Sequence, residues 1–400
     1  MKPAWLPEDT AVVGGAVRDA LLGRLRERPD LDLVVEGDAV SLARRLAGQG
    51  GGSCVVLDAE RSIARLVSGG WTIDLAQRCG DSLEADLNRR DYSVNAIALP
   101  LSGGAPVDPT GGIPDLAAGQ LRAISEANLL EDPLRLLRGL RLACELDFAI
   151  EAHTRHWLEQ HARQLAEVAG ERVLAELERL AAAPSGSAGL AQTIATGLLR
   201  VWGGDGPEAM ARLQHLTPQQ ALERGLSAAE SAWALPLARL AAVLDRAALA
   251  RLHASRRLQQ RCERLRHWHS QLAAAGAGAG LASLPEEERL LLQRQLEEDL
   301  PALALHLEPG EARQALVRWR HPDDPLFHPR PPLDGQRLQQ ALGLPPGPQL
   351  GQLLLHLSQE RAFGRLTEAK ATAETEAGTV AETVALAAAR AWLAAQAPPP

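Results

Sequence analysis

The sequence predicts an α+β chain: a small mixed domain over residues 1–125, then helix almost to the end. Up to about residue 125, short apolar runs alternate with helical stretches and Gly-rich turns, so the apolar period keeps changing. From Asn128 onward strand signals vanish, and long Leu/Ala/Arg segments keep helical spacing. At 400 residues the chain exceeds one ordinary domain, and two or three are expected.

Strands are expected at Val12-Val13, Leu31 to Val35, Cys54 to Leu57, Ile63 to Val67 and Trp71 to Leu75, each a short apolar run between turns. The segment Arg89 to Ala98 reads as helical. Breaks in the helical region fall at residues 184–189, 203–207, 276–280 and 321–335, where Pro and Gly cluster. Cuts are expected near the first, third and fourth of these, and with the end of the mixed pattern the chain is assigned as residues 1–125, 126–184, 185–320 and 321–400. The Ala-rich residues 371–400 read either as one amphipathic helix with a frayed end or as disorder.

Acidic residues outnumber basic ones by 50 to 42, so whole-chain charge does not point to a nucleic-acid binder, and any polyanion site must be a local patch. The positive charge is almost all arginine, Lys2 and Lys370 being the only lysines. No apolar run approaches the roughly 18 residues of a membrane span, and the first residues lack a secretory pattern. A cytosolic location and no membrane partner are expected by default. Cys54, Cys79, Cys144 and Cys262 are scattered without a C-x-x-C pair and read as small core residues.

The chemistry-bearing motifs begin at Val12-Val13-Gly14-Gly15-Ala16-Val17-Arg18-Asp19. A strand passing through two glycines into a helix brings bare backbone N–H groups to a ligand, which suits phosphate, with Arg18 about one turn in. A bland tight turn explains the glycines equally well. Next comes Asp30-Leu31-Asp32-Leu33-Val34-Val35, where Asp30 and Asp32 share one strand face. Two unpaired carboxylates side by side repel and usually await a divalent cation such as Mg²⁺. Alone, the pair would read as solvated acids on a strand edge; the preceding glycine turn favours the metal. Asp74, in Trp71-Thr72-Ile73-Asp74-Leu75-Ala76, is a candidate third carboxylate or a strand-end turn residue.

Arg89-Arg90-Asp91-Tyr92-Ser93-Val94-Asn95 sets two cations, an acid and an amide against an apolar segment. That is a solvated face, or a grip on a sugar hydroxyl and phosphate. Asp108 to Leu116 reads as turns. Glu131-Asp132-Pro133-Leu134-Arg135-Leu136-Leu137-Arg138-Gly139-Leu140-Arg141 opens the helical half, with Asp132 and Pro133 as N-cap and first turn. Arg135, Arg138 and Arg141 form a ridge expected to lack acidic partners four residues on, suited to a nucleobase edge or a phosphate.

In this order, and over about the first 180 residues to Glu171-Arg172-Val173-Leu174-Ala175-Glu176-Leu177, these motifs resemble the class II tRNA nucleotidyltransferase/poly(A) polymerase family. The resemblance implies a head of the DNA polymerase β type followed by helical neck, body and tail. It makes Asp30 and Asp32 ligands of two Mg²⁺ ions; Asp74, from its strand position, is the third catalytic candidate. It places Gly15, Arg18 and Arg90 at the phosphates and sugar of CTP or ATP, and Gly14, Asp91 and Asn95 are expected beside them as nucleotide-binding residues. Asp132 and Arg135 become the readers of the base edge, with Arg138 and Arg141 completing the pocket. The implied reaction is template-independent transfer of CMP and/or AMP to the 3′ end of tRNA.

Only seven residues separate Asp74 from Ser82, where many relatives carry a longer segment, so CC-only and A-only addition stand beside full CCA addition. Poly(A) polymerase is a further reading, and a non-catalytic RNA-binding module a different class, disfavoured because a binder would tolerate loss of Asp30 and Asp32. No His-Asp dipeptide occurs, which argues against an appended phosphohydrolase domain. Farther on, Arg251 to His269 carries six arginines against the single acid Glu263, with Trp268 between two histidines. Arg256, Arg257, Arg261 and Arg264 are candidates for the RNA backbone; a helix packed on acidic neighbours is the alternative. No protein partner is inferred.

Overall fold

The computed structural model describes residues 5–204, 206–276, 280–366 and 377–396. Its contacts divide the chain into two compact units, Met1–Met210 with Arg251–His253, and Ala211–Ala250 with Ala254–Pro400. Lys370, residues 371–376 and the closing prolines lie outside the described residues.

The first unit opens with a six-stranded sheet. In chain order come β1 (Ala11–Val13), α1 (Gly15–Leu21), β2 (Leu31–Val35), α2 (Ala39–Gly50), β3 (Ser53–Asp58), β4 (Ile63–Ser68), β5 (Trp71–Gln77), α3 (Leu83–Asn88) and β6 (Ala98–Pro100). The strand order is β3-β4-β5-β2-β1-β6, with β2 and β5 parallel and the other pairs antiparallel. Period two explains the two layers. Leu33, Val35, Ile73 and Leu75 face α2 and its Leu42, Ala43 and Leu46, while Val13 and Val34 join Leu87, Ala96 and Ala98 on the other face. Local chemistry sets the ends of α2: Asp38 Oδ1 accepts from the amides of Val40 and Ser41 at 3.0 and 3.1 Å, and Gly51 closes the helix with φ of 67°.

After the sheet follow α4 (Gly112–Ala118), β7 (Gln120–Leu121), α5 (Glu126–Glu131), α6 (Leu134–Leu146), β8 (Ala149–Ile150), α7 (Ala152–Gln160) and α8 (Gly170–Ala182). Two expectations need correction here. Strands do not end before Asn128, because β8 pairs with β7 after Asp147 turns the chain with a positive φ of 61°. Nor is Arg89 to Ala98 helical: a single 3₁₀ turn, Ser93–Asn95, leads into β6. Tertiary packing overrides the helical pattern there. Tyr92 is extended and buried, and its hydroxyl donates to the Arg135 carbonyl at 2.8 Å. Gly139 admits that ring, since a Cβ at this position would collide with the Tyr92 hydroxyl.

The second unit is helical, including Ala228–Val243, Arg256–Ala274, Pro309–Trp319 and Pro348–Ala362. The stretch expected to be helix or disorder holds a helix, Ala377–Gln396, whose Ala389 and Trp392 pack with Leu338, Leu353 and Leu357. Among the described residues no helix is long and apolar enough to cross a membrane. Cys144 and Cys262 are buried as expected, whereas Cys79 is exposed.

His306 lies in this unit with its ring 4.3 Å from that of His269. Burial first, then the charges of His269, Arg224 and Arg212, push His306 down to about 3. Its unfolded value is near 6.5, so below that pH the unfolded chain takes up a proton the folded chain refuses. Stability is therefore lost as pH falls from 6.5 toward 3, by on the order of 1 kcal/mol per pH unit. Urea midpoints at pH 7 and pH 5 check this; an equal or higher midpoint at the lower pH contradicts it.

Candidate active site

The site starts where β1 meets α1. Gly14 takes φ 72° and ψ −140°, a conformation costly for any residue with a Cβ, and a Cβ there would stand 2.9 Å from Asp32 Oδ2. Glycine is thus required by backbone and by neighbour. No side chain caps α1, which leaves its first-turn amides, beginning at Gly15, without a side-chain acceptor. Arg18, one turn in, donates from Nε to Asp19 at 2.8 Å and from Nη1 to Asn95 Oδ1 at 2.8 Å.

Register sets the acids. Asp32 lies opposite Val13 of β1 on one side and opposite Asp74 of β5 on the other. Asp30 precedes the strand and is exposed. Neither the Asp30 nor the Asp32 carboxylate accepts a hydrogen bond from, or forms an ion pair with, another described residue. Burial raises the Asp32 carboxyl above its usual value, Asp74 and Asp30 add to that, and Arg90 opposes it. A largely desolvated carboxylate beside like charges is one that a hard divalent cation would relieve. Asp74 is differently placed. Arg65, its cross-strand neighbour on β4, holds both its oxygens at 2.8 Å. Among the described residues no group of three His, Cys, Asp or Glu side chains is arranged to hold a metal. Asp30 and Asp32 offer two carboxylates, in number and kind what Mg²⁺ takes from a protein while it keeps several waters and binds substrate phosphates.

Arg90 donates to Asp86 Oδ2 at 3.0 Å, and the other Asp86 oxygen accepts the Cys79 amide at 3.0 Å. Arg89 pairs with Glu131 at 2.7 Å and reaches the Cys79 sulfur. Buried Asp91 accepts from the Tyr92 amide at 2.8 Å, from Asn95 at 3.4 Å and from Arg138 at 3.3 Å. A continuous polar chain therefore runs from Arg18 through Asn95 and Asp91 to Arg138 on α6.

Asp132 sits between α5 and α6. Its Oδ1 accepts the Leu134 amide at 3.3 Å, and Arg172 of α8 grips the carboxylate, with a shortest bond of 2.8 Å. Burial works to raise the Asp132 carboxyl, but the Arg172 hydrogen bonds and charge hold it below its usual value. Arg135 uses Nη1 for the Asn128 carbonyl at 2.6 Å, Glu131 at 3.2 Å and the Arg89 carbonyl at 3.3 Å. Its Nε and Nη2 donate to no described residue. The ridge does not lack acidic partners: Glu145 is four residues beyond Arg141 and pairs with it, and Glu131 is four before Arg135. Arg141 also donates to buried Glu176 of α8 at 2.6 Å.

A cleft of about 520 Å³ is lined by Arg78, Arg89, Arg90, Glu131 and Arg135 among others, so Arg90 and Arg135 share one opening. Arg65 and Asp86 were not singled out from sequence, and Arg172 and Glu176 were named there only as part of the last family-like stretch, without a role. Spacing offered one clue, since Arg172 and Glu176 lie four apart on one face of α8.

In the second unit, Arg257 pairs with Glu298 at 2.8 Å and Arg261 with buried Asp299 at 2.6 Å. Arg264 donates to the Gln295 carbonyl at 3.3 Å, and Trp268 is buried with Nε1 on Gln295 at 2.9 Å. Arg256 is exposed and has no such partner among the described residues.

Residues 10–122 match the family model described as the poly A polymerase head domain, and residues 147–203 that of the probable RNA and SrmB-binding site of polymerase A. A CC-adding tRNA nucleotidyltransferase of Synechocystis sp. is 33% identical over 393 residues, 91% of this chain and 92% of the relative. An A-adding tRNA nucleotidyltransferase of Deinococcus radiodurans is 31% identical over 413 residues, covering 90% and 93%. The crystal structure of the Bacillus stearothermophilus CCA-adding enzyme in complex with CTP is similar in fold, with TM-score 0.70, 22% identity and coverage of 94% and 93%. With likeness over nearly its whole length to such relatives, the chain belongs to the class II tRNA nucleotidyltransferase/poly(A) polymerase family, whose members are nucleotide-transferring enzymes.

Proposed function

We propose that the chain transfers CMP, AMP or both from CTP and ATP to the 3′ end of tRNA, with two Mg²⁺ ions held by Asp30 and Asp32. The observation that carries this reading is the unpartnered, largely buried Asp32 carboxylate beside Asp30, directly under the Gly14 turn. When bound, the ions supply polarisation of the α-phosphate and a more acidic 3′-hydroxyl. The protein's own groups bind and orient. Gly14 and Gly15 bring backbone close to the phosphates, while Arg18 and Arg90, fixed by Asn95 and Asp86, offer positive charge.

Cytosine and adenine both present an amino donor next to a ring-nitrogen acceptor. A carboxylate accepts from the first and a guanidinium donates to the second, which suits Asp132 and the unused Nε and Nη2 of Arg135. Uracil offers the opposite pattern. Arg135→Ala is expected to blur the preference for CTP over UTP by roughly tenfold or more while weakening tRNA binding less. Competitive incorporation measures this, and unchanged selectivity contradicts the assignment. In this reading residues 1–125 are the catalytic head, 126–184 the nucleotide-selecting neck, 185–320 the RNA-binding body and 321–400 the tail.

A CC-only enzyme is the second reading, favoured by the short connection from β5 to α3. There the Arg78 amide is held by Val35 at 2.8 Å and the Cys79 amide by Asp86 at 3.0 Å. The test uses tRNA transcripts ending before CCA, after C and after CC, each with labelled CTP alone, ATP alone and both, followed by sequencing of the ends. Addition of C to the first two supports the function. Addition of A to the third overturns the CC-only reading, addition of C without A supports it, and no incorporation anywhere overturns the function altogether.

A further inference from the structure

Asn128 is the third residue of α5, where the Ser125 hydroxyl accepts its amide hydrogen at 3.1 Å. Asparagine is a poor helix former, so its presence in this short helix calls for a tertiary reason. The side chain supplies one. Nδ2 donates to the carbonyls of Asn88 and Arg90, each at 2.7 Å, which uses both amide hydrogens. Those carbonyls stand at and just beyond the C-terminal end of α3, where helix geometry leaves oxygens without an intrahelical donor. On its backbone side, the Asn128 carbonyl accepts Nη1 of Arg135 at 2.6 Å.

One residue thus fastens the backbone that carries Arg90 and, through its own carbonyl, the guanidinium of Arg135. Both arginines line the 520 Å³ cleft, and Asn128 does not. We infer that Asn128 is a positioning residue that sets the spacing between Arg90 and Arg135, and through it nucleotide affinity and selectivity. The inference rests on the nucleotide-binding roles proposed above for those two arginines. It predicts that Asn128 touches no substrate and acts by holding two groups that do.

The test compares wild type with Asn128→Ala, with Asn128→Asp, which keeps the shape but loses both donated hydrogens, and with Asn128→Gln, which keeps the amide at a longer reach. Each is assayed for incorporation of CTP and UTP on tRNA ends, with KM and kcat separated, and for Tm. The Ala and Asp variants are expected to raise the CTP KM about tenfold and to narrow the CTP/UTP preference about tenfold, with kcat nearly kept and the Gln variant intermediate. If they lower Tm yet keep KM and selectivity, Asn128 is only structural and the inference fails. Should the Ala variant not fold, the isosteric Asp variant decides on the same criteria. Arg135→Ala runs alongside. If it blurs selectivity while the Asn128 variants do not, positioning alone is overturned; if it changes nothing, the base-reading role falls and the inference with it.

Discussion

Asp32→Ala is expected to lower nucleotide incorporation by at least about a thousandfold while the protein keeps its fold, because metal-assisted stabilisation at a transferring phosphate, if Asp32 holds the ion as proposed, amounts to several kcal/mol. The fold is expected to be as stable or firmer. A carboxyl raised by burial and by Asp74 is one whose charged form the folded state disfavours at neutral pH. The sign follows: the folded state binds this proton more tightly than the unfolded one, so above the unfolded pKa the group opposes folding. Removing it relieves that opposition and leaves Gly14 and Arg90 in place. Incorporation assays with matched thermal melts decide the point. Near-normal turnover contradicts the metal assignment, and collapse of the melt would mean that Asp32 holds the sheet together instead.

Glu176→Ala is expected to destabilise the first unit by about 3–5 kcal/mol, since breaking a buried pair leaves an uncompensated buried charge. Glu176 is 3% exposed and takes Arg141 Nε at 2.6 Å, with Arg138 at 3.9 Å and Arg179 at 3.5 Å. Without it Arg141, whose side chain is 11% exposed, retains only Glu145 among the described residues. Arg138, whose Nε already lacks a hydrogen-bond partner, keeps only Asp91. Urea unfolding monitored on the first unit measures the loss, and a change below about 1 kcal/mol would show the cluster to be solvated rather than structural.

What could be read from sequence was local. The five sheet strands singled out have alternating or continuous apolar runs; the same alternation put Asp30 and Asp32 on one strand face, whereas β2 begins only at Leu31 and Asp30 precedes it. The glycine turn was legible because glycine is the residue that takes a φ such as the 72° of Gly14 without strain. Register was not legible, and so neither was the Arg65 grip on Asp74, which exists only because β4 pairs with β5 at that position. Partners distant along the chain were hidden for the same reason. Arg172 reaches Asp132 across 40 residues, and Asp299 reaches Arg261 across 38, which turned an arginine-rich stretch into a partly neutralised helix. Arg89 to Ala98 misled because its apolar spacing suits a helix, while burial of Tyr92 against α6 demands extended backbone.

The proposed metal site at Asp30 and Asp32 is tested most directly by replacing Mg²⁺ with Fe²⁺, adding ascorbate and hydrogen peroxide, and mapping the backbone cuts made by the hydroxyl radicals that result. Cuts are expected beside Gly14 and along β2 near Asp32, suppressed by excess Mg²⁺ and absent from Asp32→Asn. Cuts elsewhere in the chain, or an unchanged pattern in that variant, would contradict a metal centre at this pair of acids.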